Sequence, residues 1–197
     1  DHRDLHSFPT RRSSDLEQPL SVCENFITPQ TELISAYSIY ETLPKEKNIS
    51  SYEHFKRCCE IQGIANTEKF LNYMLAVDYI IANSDRHFRN FGVIRNANTL
   101  EWIGFAPLFD CGTSLWFNQI AKNIKPIKYD ESKPFATSHA KHIGFVTDLT
   151  WLDFQKLNGI ENDCKKILSS SKYIDETRCE NMCYAISKRI DMIKDLL

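Results

Sequence analysis

Asp85-Arg86-His87-Phe88-Arg89-Asn90 is followed, twenty residues after Asn90, by Asp110 within Leu108-Phe109-Asp110-Cys111-Gly112. The two stretches supply an acid, an amide five residues on, and a second acid ahead of a small turn. Phosphoryl transfer from a magnesium-bound nucleotide demands that set. The protein then does little covalent chemistry; it positions an acceptor hydroxyl and neutralises oxygen charge, mostly through metal ions. In that chemistry Asp85 orients the hydroxyl and accepts its proton. Magnesium prefers hard oxygen ligands and keeps several waters, so one carboxylate and one amide carbonyl are enough, and Asp110 and Asn90 fit.

An acid and an amide five apart on one tight loop point into one cleft, the same offset as in the protein-kinase catalytic loop Asp-x-x-x-x-Asn. Taken alone, the pattern reads more readily as a polar loop capping the apolar helix before it. Asp110 adds the second carboxylate at the end of a predicted hairpin, with Phe91 to Ile94 as one strand, Asn96-Ala97-Asn98-Thr99 as the turn and Leu100 to Phe105 as the return. Such a hairpin carries Asp110 back toward Asp85.

The run Asp78-Tyr79-Ile80-Ile81-Ala82-Asn83-Ser84-Asp85-Arg86-His87-Phe88-Arg89-Asn90-Phe91-Gly92, with Ala106-Pro107-Leu108-Phe109-Asp110-Cys111-Gly112-Thr113-Ser114, resembles the carboxyl-terminal lobe of HipA-like serine/threonine kinases. The Asp-Arg-His-x-x-Asn core is also similar to that of phosphatidylinositol kinases. The resemblance covers roughly residues 26 to 195 and is densest between Phe70 and Trp116. It implies an α+β, mainly α-helical, protein-kinase-like lobe in which a small β-hairpin carries the catalytic and metal-binding loops. It implies ATP and Mg as cofactors, Asp85 as catalytic acid/base, and Asn90 and Asp110 as metal ligands. His87 falls on a histidine that these loops often hold, as a brace for the loop or a phosphate contact. The roles of Arg86 and Arg89 stay open.

Kinases of this family bind the nucleotide between two lobes, and the amino lobe supplies a phosphate-covering loop and a lysine. Neither Gly-x-Gly-x-x-Gly nor Gly-x-x-x-x-Gly-Lys-Ser/Thr occurs here, and the chain has only 6 glycines in 197 residues. The expectation is a carboxyl-terminal lobe over residues 17–197 that lacks its amino lobe and is inactive alone. Residues 1–16, Asp1 to Leu16, resemble the translation of a short-read sequencing adapter and are expected to be an artefact, excluded from fold reasoning.

At 197 residues and 42% hydrophobic, the chain can bury a substantial core. A net charge of −2 argues against a dominant nucleic-acid surface, and no run of 18 apolar residues implies a membrane span. The 7 cysteines are odd in number and Cys58-Cys59 are adjacent, so a reduced, cytoplasmic setting is the simpler account. Cys179 and Cys183 share a helical face and read as core thiols before a zinc site. His139-x-x-His142 reads as a solvated loop or helix start before a ligand pair.

The rest of the pattern is helical. Thr31 to Leu43 carries apolar residues at helical spacing and stops at Pro44. Ser50-x-x-Glu53 opens a second helix that ends at Gly63, and Thr67 caps a third through Ala82 that delivers the catalytic loop. The polar segment Asn118 to Lys141 is where substrate contacts are expected. From Trp151 two or three helices follow, the last with Ile186, Ile190, Ile193 and Leu197 as its stripe.

Three functions fit these features. The first is the catalytic lobe of a kinase that, when intact, transfers the ATP γ-phosphoryl group to a Ser/Thr hydroxyl of a protein substrate. Its partners would be the missing amino lobe or, from the family, an antitoxin-like protein. The second is a kinase-fold ATP- or protein-binding module without catalysis. The third is a metal-dependent hydrolase built on Asp85, His87 and Asp110, which leaves Asn90 without a task.

Overall fold

The computed structural model describes residues 24–126 and 131–195. The expected artefact at residues 1–16 and the stripe residue Leu197 lie outside the described residues. Where one helix was expected from Thr31 to Leu43, the chain forms a strand, β1 (Thr31–Ser35), and then a short helix, α1 (Ala36–Tyr40). Ser35 makes the switch: its hydroxyl accepts from the Ser38 N–H. A distant partner decides against the helix. β1 runs antiparallel to β2 (Gly92–Asn96), from Thr31 opposite Asn96 to Ser35 opposite Gly92, and pairing of this kind overrides a local helical period.

β2 returns as β3 (Trp102–Phe105), giving a three-stranded antiparallel sheet in the order β1-β2-β3. The expected turn at Asn96 to Thr99 is present, with Asn96 Oδ1 accepting from the N–H groups of Asn98 and Thr99 at 2.9 and 3.0 Å. Arg95 donates from Nε and Nη2 to Glu32 directly across from it, at 3.0 and 2.8 Å, and stacks 5.5 Å from the Trp102 ring centre. At the start of β2 a side chain has no room: a Cβ on Gly92 would sit 2.3 Å from the Ile34 carbonyl oxygen.

The second helix, α2 (Ser51–Ile61), has Ser50 as its N-cap, accepting from the Glu53 N–H at 3.1 Å. It stops where Gly63 turns at φ +71°. The third, α3 (Thr67–Ile81), begins one residue after a left-handed Asn66, so Thr67 is its first residue, and its hydroxyl donates back to the Ile64 carbonyl. Leu71, Met74, Leu75, Ala76 and Tyr79 are all buried, which makes α3 the spine between two halves of the core. On one side lie the sheet, α1 and α2, with Phe55, Phe91 and Val93. On the other lie α4 (His139–Ile143), α5 (Ile160–Ser169) and α6 (Glu176–Lys194), whose Ile186, Ile190 and Ile193 are buried. Among the described residues there are thus six α-helices and one small sheet.

The α3 spine ends at Ala82 in the left-handed region, φ +55°, and the next residues are the loop to β2. That loop is Asn83 to Phe91. It is pinned on its far side by α1, where the N–H groups of Ala36 and Tyr37 donate to the carbonyls of Phe91 and Phe88 at 2.9 and 2.8 Å.

Candidate active site

Arg86 organises the site. Its guanidinium is fully buried and donates from Nε and Nη2 to the two carboxylate oxygens of Asp78, at 2.8 and 2.9 Å. Nη1 donates to the carbonyl of Asn90 at 2.8 Å and also to that of Phe109, while Nη2 reaches the Cys111 sulfur at 3.0 Å. Burial alone would pull this guanidinium's pKa down; the hydrogen bonds and charge of Asp78 outweigh it and hold the group above its ordinary value. The cation is permanent, and one side chain ties the helix, the first loop and the second loop together.

A second set of bonds stitches the loops on the other flank of Asp110. Ser84 donates from its N–H and its hydroxyl to the Thr113 carbonyl, at 3.3 and 3.2 Å. The Thr113 hydroxyl donates to Asn83 Oδ1 at 2.8 Å, and Asn83 Nδ2 donates to Asp78 at 2.9 Å. Asp85 therefore lies between two residues, Ser84 and Arg86, that bond to the Asp110 loop. Asp110 in turn lies between Phe109 and Thr113, which bond to the Asp85 loop. The hairpin does bring the two acids' loops together.

Within its own loop Asp85 closes a tight turn. Its carbonyl accepts from the His87 N–H at 2.8 Å and from Asn90 Nδ2 at 3.1 Å. The Asn90 amide is buried and its nitrogen is spent on that bond, so Oδ1 is the oxygen left to a cation. Asp110 is exposed and sits at φ +52°, a backbone region that aspartate enters more readily than most residues. A carboxylate and an amide oxygen are hard donors of the type magnesium takes. The Asp85 carboxylate is about a third exposed, and Lys133 pairs with it at 2.7 Å.

His87 is woven into the loop. Its carbonyl accepts from the Asn90 N–H at 2.8 Å, and its Nδ1 accepts from the Arg89 N–H at 3.2 Å. A neutral ring in that role carries its proton on Nε2. Arg89 is exposed and its guanidinium stacks 4.9 Å from the centre of the Tyr37 ring. Phe88 and Phe91 turn inward and join Phe55, Tyr52 and Phe135 in one aromatic cluster.

Asp78, Asn83 and Lys133 carry much of this geometry, and the spacing argument did not single them out. Asp78 had a signal. A carboxylate in the apolar face of a core helix needs a cation, and Arg86 is two turns further along the chain. Lys133 had none, since it lies 48 residues from Asp85.

Described residues on both ends of the Asn118 to Lys141 segment lie beside the loops. A cavity of about 450 Å³ opens there beside Ser84 and Thr113, lined also by Trp116, Lys125, Glu131 and His139. The solvated character expected of His139 and His142 is not found: both are buried on α4. His142 Nε2 accepts from the N–H groups of Phe135 and Ala136, each at 3.1 Å. Burial pushes His142 down to about 4, against an opposing backbone bond at Ser138, and pushes His139 down to about 3, with the Arg189 charge and His142 adding to the shift. Both rings are neutral near pH 7.

Among the described residues no group of three or more His, Cys, Asp and Glu side chains comes together to hold a metal. Asp85, His87 and Asp110 thus do not form the cluster that a hydrolase would use, and Cys179 and Cys183 are free thiols in the core on α6. No described helix is long and apolar enough to cross a membrane.

No family model matches the sequence. The chain is 29% identical over 106 residues to the serine/threonine-protein kinase CtkA of Helicobacter pylori (strain J99 / ATCC 700824), an alignment covering 48% of this chain and 30% of that protein. Its structure superposes on the crystal structure of a Helicobacter pylori proinflammatory kinase CtkA with a TM-score of 0.68 and 18% identity, covering 98% of this chain and 80% of the other. The fold is kinase-like. CtkA is thus a relative at modest identity, and the sequence alignment spans less than a third of its length.

Proposed function

We propose that residues 17–197 are the catalytic lobe of a HipA-like protein kinase, which in its intact form transfers the γ-phosphoryl group of ATP to a serine or threonine hydroxyl of a protein. The observation that carries the proposal is the Arg86 clamp, which bonds the Asn90 and Phe109 carbonyls at once and so sets the Asp85 loop against the Asp110 loop. Similarity to a serine/threonine-protein kinase supports the same chemistry.

In this mechanism Asn90 Oδ1 and the Asp110 carboxylate would hold Mg, which would supply charge neutralisation for the transferring phosphate. Asp85 receives the acceptor hydroxyl, orients its oxygen and takes its proton. His87 keeps the turn between Asp85 and Asn90 closed through its carbonyl and ring nitrogen. The cavity beside Ser84, the residue before Asp85, is where the acceptor side chain would approach. A lysine and a phosphate-covering loop from an amino lobe complete the nucleotide site, so residues 17–197 alone transfer little or no phosphate.

The test is Asp85→Asn in the full-length protein. Loss of about 10³-fold or more in phosphate transfer to protein, with an unchanged melting curve, supports the assignment. Unchanged transfer rejects it. Mg-ATP binding with no transfer by the wild type would favour a binding module of the same fold.

A further inference from the structure

The proposal above leaves Lys133 without a task, yet its ammonium lies 2.7 Å from the Asp85 carboxylate. The pair does little for the fold: the Lys133 side chain is 59% exposed, and ion pairs in water contribute about 0–1 kcal/mol. The backbone that presents it is nevertheless firmly set. Ser132 and Phe135 on either side are buried. Phe135 stands edge-on to Phe88 and Phe91 of the Asp85 loop, with ring centres 5.4 and 6.3 Å apart, and Ser132 bonds to the Thr137 carbonyl. The N–H groups of Phe135 and Ala136 both end on His142 Nε2. A rigid anchor thus holds a mobile four-carbon stem whose charge rests on the acid.

Resting on that same kinase reading, we propose that Lys133 is a catalytic residue of phosphoryl transfer, carrying its charge from Asp85 to the transferring phosphoryl group as the acceptor hydroxyl takes its place on the carboxylate. With the acceptor seated on Asp85, the groups would meet. An acceptor oxygen within about 3 Å of Asp85 and about 3–3.5 Å of phosphorus puts the phosphoryl oxygens within a side-chain swing of Nζ. Lysine suits this as a compact, movable point charge for phosphate. In the step, the acceptor oxygen bonds to the γ-phosphorus while its proton goes to the Asp85 carboxylate. The bond from that phosphorus to the bridging oxygen breaks, and its electron pair leaves with the β-phosphate of ADP. Lys133 keeps all its protons and only neutralises charge on the oxygens of the transferring group, in the geometry that the transition state alone brings to it.

The experiment compares wild type, Lys133→Met, Lys133→Arg and Asp85→Asn in the full-length protein. Phosphate transfer is read alongside binding of Mg-AMP-PNP and of Mg-ADP with aluminium fluoride, which imitates the transferring group. Lys133→Met should lower kcat about 10²-fold and weaken the aluminium fluoride complex by a similar factor, with Mg-AMP-PNP affinity within about threefold and the melting curve unchanged. Lys133→Arg should recover part of both losses. An active wild type, an inactive Asp85→Asn, and a Lys133→Met equal to wild type in both kcat and analogue binding would overturn the Lys133 role alone. A wild type that neither transfers phosphate nor binds either complex would overturn the kinase reading, and this role with it. Equal losses of both nucleotide complexes would also overturn the proposal, since they mark uniform binding.

Discussion

Arg86 and Asp78 face each other through two hydrogen bonds of 2.8 and 2.9 Å, and their side chains are 0% and 4% exposed. The pair sits where the core helix becomes the Asp85 loop, and its remaining donors hold two carbonyls from two different loops. Breaking such a pair from one side strands a buried charge. Arg86→Met should therefore lower stability by about 3–5 kcal/mol in a denaturant titration. Arg86→Lys should recover little, because one ammonium cannot span a carboxylate and two carbonyls. An Arg86→Met protein as stable as wild type would show that the clamp is not holding the loops.

Asp110 makes no hydrogen bond or ion pair among the described residues, so its removal should be silent for folding and costly for metal. With manganese as the probe and ATP present, Asp110→Asn in the full-length protein should weaken metal binding at least tenfold, with the melting temperature unchanged. Asn90→Ala should also weaken it, and should cost about 1 kcal/mol of stability for the bond lost to the Asp85 carbonyl. Full metal affinity in both variants would remove these residues from the site.

Gly92→Ala should destabilise by about 1–3 kcal/mol, because the new methyl would lie 2.3 Å from the Ile34 carbonyl oxygen and force β1 away from β2. Gly112→Ala is the control. Nothing lies within 4 Å of a Cβ there, so its unfolding midpoint should stay within about 0.5 kcal/mol of wild type.

His139 and His142 make stability depend on acid. In the unfolded chain both imidazoles bind protons near the ordinary 6.5, while in the folded chain they do so only near 3 and 4. Between those values the unfolded state holds more protons, so stability is fully present above about pH 6.5, falls with pH through the window and levels off below about 3. Urea midpoints at pH 7 and pH 4.5 should differ more in wild type than in His142→Gln. Identical differences would show that His142 does not titrate in this way.

The meeting of the two candidate loops was legible because it is local. The acid, the amide and the second acid are fixed by spacing along one loop and one hairpin, and Ser50, Gly63 and the Asn96 turn announce themselves through side-chain and backbone preferences that act over a few residues. What escaped depends on distant pairing. β1 looks helical because Leu33, Ile34, Tyr37 and Tyr40 repeat at helical spacing; only Gly92–Asn96, about sixty residues later, turns its first half into a strand. His139 and His142 sit among polar neighbours, and nothing nearby tells that Phe135 and Ala136 will aim their N–H groups at one of them. An arginine in a polar loop looks solvated until the carboxylate on the preceding helix is seen to need it.

The division of labour between Arg86 and Asp110 carries over to any set of related chains. Arg86 is enclosed and bonded on every side, so a descendant that lost its chemistry would still be held to that residue by the need to fold. Asp110 supports nothing around it and stands in a backbone conformation that few side chains accept willingly. On the proposed metal role of Asp110, a lineage that drifts to other residues at 110 while keeping Arg86 would keep the architecture and give up the proposed reaction, whereas one that keeps both would retain the means for it.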